Sequence, residues 1–335
     1  MIQKISQTSA ATFSPRSRHH HNDSNTSTTT TTTHNTNYHI NSTLFSPDGT
    51  CLLLTTSTRS IGILDTPQQL YAPPLQTGEH DLRNASCVSV SFHSPEPIYS
   101  TAWFPSMRSL EPDSCVIAVA SRDHPVQLID AYSGKVRAAY TAIAKGDVVT
   151  APHSVAFSCD GGTIYAGLEG KIHSFDVSVQ GPPISILSTT PTRKSRLGQK
   201  GILSHLSSPP THPHLLIAGS FSKSVGVYDT QCAETVAVIS GAADGGGVSG
   251  SGVTQVEVLP DGVRVLVASR GTRAMQLFDL RYLGSGGGGG QKRRNGGGRR
   301  DEFVVGEIER DAVGTNQRLS YSVSGDGRVV CFGDK

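Results

Sequence analysis

The sequence predicts an all-β chain folded as a β-propeller, and three observations lead there. First, the stretch Tyr99–Tyr140 reads as four short strands in about forty residues. Tyr99–Phe104 carries the chain's one Trp, and Cys115–Ala120 is a continuous apolar run, as in a strand buried on both faces. Val126–Asp130 follows the polar turn Ser121–Pro125, and Val136–Tyr140 follows Tyr-Ser-Gly-Lys, whose glycine can take positive φ. Second, this unit recurs along the chain. Third, an aspartate ends the third strand of each readable unit, which is the organisation of a propeller blade.

Taken in order, residues 1–39 are His, Ser, Thr and Asn with almost no large apolar side chain. Such a tail cannot bury enough surface to offset chain entropy and is expected to be disordered. The propeller is expected over 40–335. Its first unit is Phe45-Ser-Pro-Asp-Gly, then Thr50–Thr55 and Ile61–Asp65. After the Tyr99–Tyr140 unit comes Ser154-Val-Ala-Phe-Ser-Cys-Asp-Gly, with strands Thr163–Leu168 and Lys171–Asp176. Next come Leu203–Ser208, Leu215–Ser220 and Ser224–Asp229, then Thr254–Gly262, Val263–Ser269 and Ala274–Asp279. The closing aspartates Asp65, Asp130, Asp176, Asp229 and Asp279 lie about 45–65 residues apart, close to the WD-repeat period of roughly 40–45 plus insertions. None follows a Trp, so the repeats are degenerate; the aspartate can still cap the turn into the fourth strand. A sixth unit starts at Arg318–Ser324, turns at Gly325-Asp-Gly and reaches Lys335 after two strands, which makes about five and a half readable blades and an incomplete last one. Gly284–Arg300, with Lys292-Arg-Arg and Arg299-Arg, reads as a flexible loop. Its basic pairs suit nuclear localisation or RNA contact, and equally a solvated linker.

Composition narrows the function classes. Net charge is only +2 with 17% charged residues, so no global field marks a polyanion binder. No apolar run approaches the roughly twenty residues of a membrane helix, and no membrane partner is expected. The six cysteines are scattered without Cys-x-x-Cys spacing, which suits free thiols in a reducing compartment. The sequence holds no Gly-x-Ser-x-Gly elbow, no Gly-x-x-x-x-Gly-Lys phosphate loop, no His-Glu-x-x-His and no Gly-x-Gly-x-x-Gly after a strand. A propeller hydrolase would also need a cluster of acids or metal ligands, and none is evident. No catalytic residue, cofactor, metal or small-molecule substrate is therefore expected. His153, at the start of an inner strand, suits a hydrogen bond across the blade.

One charge pattern carries a functional reading. The turns placed between the third and fourth strands read Ser57-Thr-Arg-Ser, Ser121-Arg-Asp-His-Pro, Glu169-Gly-Lys, Phe221-Ser-Lys-Ser and Ser269-Arg-Gly-Thr-Arg. Each holds a basic residue: Arg59, Arg122, Lys171, Lys223, and Arg270 with Arg273. Equivalent turns of a propeller lie on one face, so these residues would form a basic arc able to neutralise RNA phosphates. A basic residue in such a turn also serves solubility or an ion pair with a nearby aspartate.

The chain resembles the telomerase Cajal-body protein family, WD-repeat proteins that bind small Cajal-body RNAs. The likeness rests on Trp103-Phe-Pro-Ser-Met, Pro112-Asp-Ser-Cys, Ser121-Arg-Asp-His-Pro-Val with Asp123, and Asp130-Ala-Tyr-Ser-Gly-Lys-Val-Arg-Ala. It continues in His153-Ser154 before Phe157, Gly201-Ile-Leu-Ser, Gly219-Ser-Phe-Ser-Lys-Ser-Val-Gly-Val-Tyr, Phe278-Asp-Leu-Arg and Thr315-Asn-Gln-Arg, which contains Asn316, Gln317 and Arg318. It covers about 44–330 in unbroken order. The resemblance implies a seven-bladed, non-catalytic scaffold that recognises a loop motif in nuclear guide RNAs, and in animals the telomerase RNA, and delivers them to Cajal bodies. The sequence departs from the family in its last blade, in its Ser/Thr/His tract, in the glycine insertion and in Ala268-Ser-Arg-Gly-Thr, which keeps Arg270 without the family's acid. The expected partners are small nuclear or Cajal-body RNA, with telomerase ribonucleoprotein or spliceosomal proteins, in the nucleus and also in the cytoplasm. The alternative is a protein–protein scaffold in pre-mRNA splicing or another ribonucleoprotein, with RNA association indirect.

Overall fold

The computed structural model describes residues 3–4, 39–66, 88–143, 149–192, 195, 197–240, 247–282, 304–310 and 318–332. They form five antiparallel four-stranded blades in a propeller arrangement. Blade 1 is β2 (Ile40–Phe45), β3 (Cys51–Thr56), β4 (Ser60–Asp65) and β5 (Val88–His93). Blade 2 is β6 (Ile98–Trp103), β7 (Val116–Ser121), β8 (Val126–Asp130) and β9 (Val136–Tyr140). Blade 3 is β10 (Ser154–Phe157), β11 (Thr163–Gly167), β12 (Lys171–Asp176) and β13 (Ser185–Ser188). Blade 4 is β14 (Leu203–Ser207), β15 (Leu215–Ser220), β16 (Ser224–Asp229) and β17 (Glu234–Ser240). Blade 5 is β18 (Val253–Val258), β19 (Arg264–Ser269), β20 (Ala274–Asp279) and β21 (Val304–Glu309). A sixth sheet pairs β22 (Tyr321–Val323) with β23 (Val329–Phe332), and β1 (Gln3–Lys4) lies parallel to β23. That short pairing falls in the tract expected to be disordered; the rest of 1–38 and all of 284–300 lie outside the described residues.

Position in the blade explains the composition of each strand. The second and third strands are covered on both faces, and all six residues of β7 are buried. They therefore read as apolar runs. The fourth strand is the blade's edge: β21 alternates between half-buried and exposed along Val304–Glu309, and β17 opens with three exposed residues.

Blades pack face to face, and each described interface has its own apolar cluster. Leu53 and Ile61 meet Trp103 and Ile117 between blades 1 and 2. Val116 and Leu128 meet Phe157 and Ile164 between blades 2 and 3. Tyr165 and Ile172 meet Leu203 and Leu216 next, then Ile217 and Val225 meet Val256 and Val267. Leu266 and Met275 meet Tyr321 and Val330 at the sixth sheet. Between that sheet and β2 the structure has a cavity of about 810 Å³, lined by Thr43 and Phe45 on one side and Tyr321 and Phe332 on the other.

Polar side chains tie the innermost strands in sequence around the axis. Trp103 Nε1 donates to Leu44 O at 3.2 Å, and Val155 N donates to Ser100 Oγ at 3.2 Å. Ser154 Oγ donates to Leu203 O at 2.9 Å, and Ser204 Oγ to Val253 O at 2.6 Å. Gln255 Nε2 completes the series with Tyr321 O at 2.8 Å.

Asp130, Asp176, Asp229 and Asp279 do the capping their spacing suggests, while Asp65 instead accepts from Ser89 Oγ on the fourth strand. Asp130 Oδ1 accepts from the backbone N–H of Tyr132 and Ser133 at 2.9 and 2.8 Å. Asp229 Oδ1 accepts likewise from Gln231 and Cys232 at 2.8 and 3.0 Å. No Trp is needed, because the carboxylate itself nucleates the turn. A second set repeats between first and second strands: Ser46, Ser158 and Ser324 each donate to the aspartate two residues on, at 2.7, 2.5 and 2.6 Å.

Candidate nucleic-acid interface

The five basic turns connect the second and third strands of their blades, not the third and fourth as their sequence alignment suggests. Ser57–Arg59 lies between β3 and β4, and Arg122–Pro125 between β7 and β8. The Tyr99–Tyr140 unit, legible with all four strands, already has Ser121–Pro125 between its second and third; the other units lack a legible polar fourth strand, and counting back from the last readable strand misplaces the turn. The equivalence survives the correction, since all five still link the same two strands and so lie on one face.

Each turn places one residue in the left-handed region: Arg59 (φ 65), Asp123 (φ 56), Gly170 (φ 66), Lys223 (φ 57) and Gly271 (φ 67). This local twist closes a short hairpin between strongly twisted strands. It also shows that the basic side chains are staggered. Arg59 and Lys223 occupy the left-handed position, Arg122 and Arg270 precede it, and Lys171 follows it. Glu169 stands where blades 2 and 5 have arginine.

Their surroundings differ too. Arg59 is exposed, and its Nη1 donates to Pro95 O at 2.6 Å. Arg122 Nε sits 3.3 Å from Asp123 and 3.8 Å from Glu96, and these acids raise its pKa. Arg59, Arg122 and Glu96 share a cleft of about 360 Å³ between blades 1 and 2. Lys223 and Arg273 are exposed, and Lys171 is half-buried. The Arg270 guanidinium lies 4.0 Å over the Phe221 ring of the neighbouring blade, a cation–π contact, while its buried Nε has no partner among the described residues.

The residues singled out by family resemblance divide by depth. Trp103 is buried between blades 1 and 2. Asp123 is an exposed turn residue. His153 meets its neighbour blade through a ring stack on Tyr99, centroids 5.0 Å apart, and burial lowers its pKa. Arg318 reaches inward to the innermost strands: Nη1 donates to Tyr99 O at 2.8 Å and Nη2 to Ser204 O at 2.6 Å. Asn316 and Gln317 lie outside the described residues. Sequence reasoning missed Arg310, which is buried; its guanidinium donates to Ser269 O and Thr272 O and braces the basic turn of blade 5. It also missed His205 on β14. A lone Arg after an edge strand and a lone His in a strand carry no spacing signal.

Fold and repeats together define a WD-repeat β-propeller with a partly basic face. No protein-family model matches the chain. It is similar to Telomerase Cajal body protein 1 of Bos taurus, 31% identical over 290 residues, 86% of this chain and 47% of that protein. The human protein of that name is 30% identical over 290 residues, 86% of this chain and 46% of the relative. Guanine nucleotide-binding protein negative regulator 1 of Schizosaccharomyces pombe is 27% identical over 296 residues, 88% of this chain and 68% of that protein. The resemblance read in the sequence is thus matched by homologues along nearly the whole chain. The chain spans about half the length of the telomerase Cajal-body relatives it matches.

Proposed function

We propose that this chain is a member of the telomerase Cajal-body protein family and acts as a non-catalytic scaffold of small nuclear ribonucleoproteins. In this reading it binds small Cajal-body guide RNAs, telomerase RNA among them where that RNA carries the loop motif, and supports their localisation in nuclear bodies. The propeller comprises 40–335 as part of a seven-bladed ring. The observation that carries the proposal is the placement of Arg59, Arg122, Lys171, Lys223, Arg270 and Arg273 in equivalent turns on one face. Phosphates meet these charges while unpaired loop bases are read by stacking and hydrogen bonding.

Crosslinking and sequencing of RNA bound to the protein in its own cells tests this. Guide RNAs sharing one loop motif, crosslinked at the Arg122 or Arg270 turns, are the expected result. In vitro, about five phosphate contacts give a log–log salt slope of roughly −3.5 on single-stranded RNA. Lys223→Glu with Arg273→Glu, two exposed positions, should reduce that slope and weaken binding while leaving the melting temperature in place. An unchanged affinity removes the basic face from the mechanism.

A second reading is favoured by the pairing of Arg122 with Asp123 and Glu96 and by the Arg59 bond to Pro95 O. Side chains so engaged have less free charge for RNA and suit a scaffold that binds proteins, spliceosomal ones included. An empty RNA library with co-purifying proteins selects it.

A further inference from the structure

Arg270 stands apart from the other basic side chains of the turn face. Its guanidinium lies 4.0 Å over the Phe221 ring, so a side chain of blade 4 holds a side chain of blade 5. Phe221 is the one Phe, Tyr or Trp in the five turns, and both side chains are half-buried. The backbone beneath them is fixed. Arg270 N donates to Gly252 O at 2.8 Å, Arg270 O accepts from Ser251 N at 2.9 Å, and Phe221 N donates to Ile202 O at 3.1 Å. The two turns meet so closely that a Cβ at Gly252 would stand 2.5 Å from Phe221 O. Buried Arg310 braces the same turn through Ser269 O and Thr272 O.

This fixed guanidinium spends none of its donors. Arginine carries its N–H groups in a planar fork, and among the described residues none of those of Arg270 meets an acceptor. Nε is closed off from water, whereas Nη1 and Nη2 remain open to it. No carboxylate of the described residues pairs with Arg270. Arg122, at the equivalent position in blade 2, faces Asp123 and Glu96 instead. In blade 3 that position is Glu169. The ring thus orients Arg270 without consuming its hydrogen-bonding edge. A guanidinium so placed has lost its rotamer freedom before a ligand arrives, which lowers the cost of a directional contact.

We infer that Arg270, oriented by Phe221, is the base-reading residue of the RNA site: its Nη1–Nη2 edge donates to O6 and N7 of one unpaired guanine. This deepens the RNA reading proposed above and rests on it. Guanine presents two adjacent acceptors on its Hoogsteen edge, and the parallel N–H pair of a guanidinium matches them. Adenine puts a donor beside its N7, which the same edge rejects. Lys223 and Arg273 stand exposed in the same two turns and are left for phosphates, which a solvated cation meets without a fixed plane.

Fluorescence anisotropy of the full chain with labelled oligouridine, with and without one central guanosine, tests this. The guanosine should tighten binding by roughly tenfold. Replacing it by adenosine, or by 7-deazaguanosine, which lacks the N7 acceptor, should remove most of the gain. Phe221→Leu should lose the gain and Phe221→Tyr keep it, with the affinity for plain oligouridine unchanged by either. Arg270→Lys should lose it too, because an ammonium has no planar fork. Oligouridine that binds with no gain from guanosine overturns this inference and leaves the basic-face reading standing. So does a gain undiminished by 7-deazaguanosine or by Phe221→Leu, or an equal gain from cytidine, whose O2 and N3 also form an acceptor pair. Binding to neither oligonucleotide at low salt overturns the RNA reading together with the inference. The base replacements need no protein variant, so the test holds even where Arg270→Lys folds poorly.

Discussion

His173 and Glu257 have the same problem, an ionisable side chain whose charged form the fold disfavours, and they respond in opposite senses. His173 is fully buried with both ring nitrogens unpartnered, and its pKa falls to about 4. Its neutral form favours the fold, so its contribution is lost as pH drops from roughly 6.5 toward 4. Glu257 behaves conversely. Its folded pKa is raised to about 8 from 4.5, so its contribution is present below about 4.5 and is lost as pH rises toward 8. Glu257→Gln keeps the neutral shape and removes the titration. Thermal melts between about pH 5 and 8 should show the wild type losing stability toward pH 8 and the variant holding level, a gap of about 1–3 kcal/mol at the alkaline end. Parallel curves would show that Glu257 is already ionised in the fold.

At the scale of elements, the hairpins depend on a few backbone and carboxylate contacts. Asp229 holds two N–H groups of the turn from β16 into β17. Asp229→Ala leaves both without that partner and should cost about 1–2 kcal/mol, read from urea unfolding. Lys223 sits at φ 57 in the turn between β15 and β16, where a side chain is strained. Lys223→Gly should stabilise by about 0.5–1 kcal/mol in the same measurement while removing one rim charge. That variant separates folding from function, because a loss of RNA affinity in a more stable protein cannot be blamed on unfolding. Packing between elements is equally exacting at Gly219 on β15. A Cβ there would come within 2.6 Å of Val253 Cγ1, a side chain of blade 5. Gly219→Ala must push blades 4 and 5 apart, and should cost about 1–3 kcal/mol.

On the scale of the whole molecule, turn carboxylates recur from blade to blade, and their titrations run together. Hydrogen bonds from Ser158 and Gly162 hold Asp160 below the usual carboxylate range, and Arg281 and its backbone do the same for Asp279. Asp48, Asp130 and Asp261 are lowered in the same direction despite burial working against them, through backbone and side-chain donors. A depressed folded pKa contributes stability above the unfolded value, roughly 3.9, that is lost as pH falls through the folded value. Acid titration followed by circular dichroism should therefore show a steep loss of the fold below about pH 4, with all blades failing over the same narrow range. A gradual loss beginning near pH 6 would instead put the buried histidines in control.

The chain's periodicity made the blades legible. Inner strands such as β7 and β15 are mostly apolar because both faces are covered, and the aspartates that end β8, β16 and β20 mark where each hairpin turns. Outside the Tyr99–Tyr140 unit, where Val136–Tyr140 reads as a strand, the fourth strands were not legible. Val88–His93 and Val304–Glu309 form blade edges, where one face meets water and alternation is weak over six residues. Their omission misplaced the basic turns by one strand, although the residues themselves were found.

By itself, then, the sequence determined the repeat, the turn chemistry and the set of basic side chains, because each is encoded within a few neighbouring residues. Only the tertiary structure decided which charges are free. Arg122 meets Glu96, Arg270 lies on Phe221, and Arg318 joins strands that begin more than a hundred residues upstream. Those pairings depend on how blades pack around the axis, and no local spacing records them.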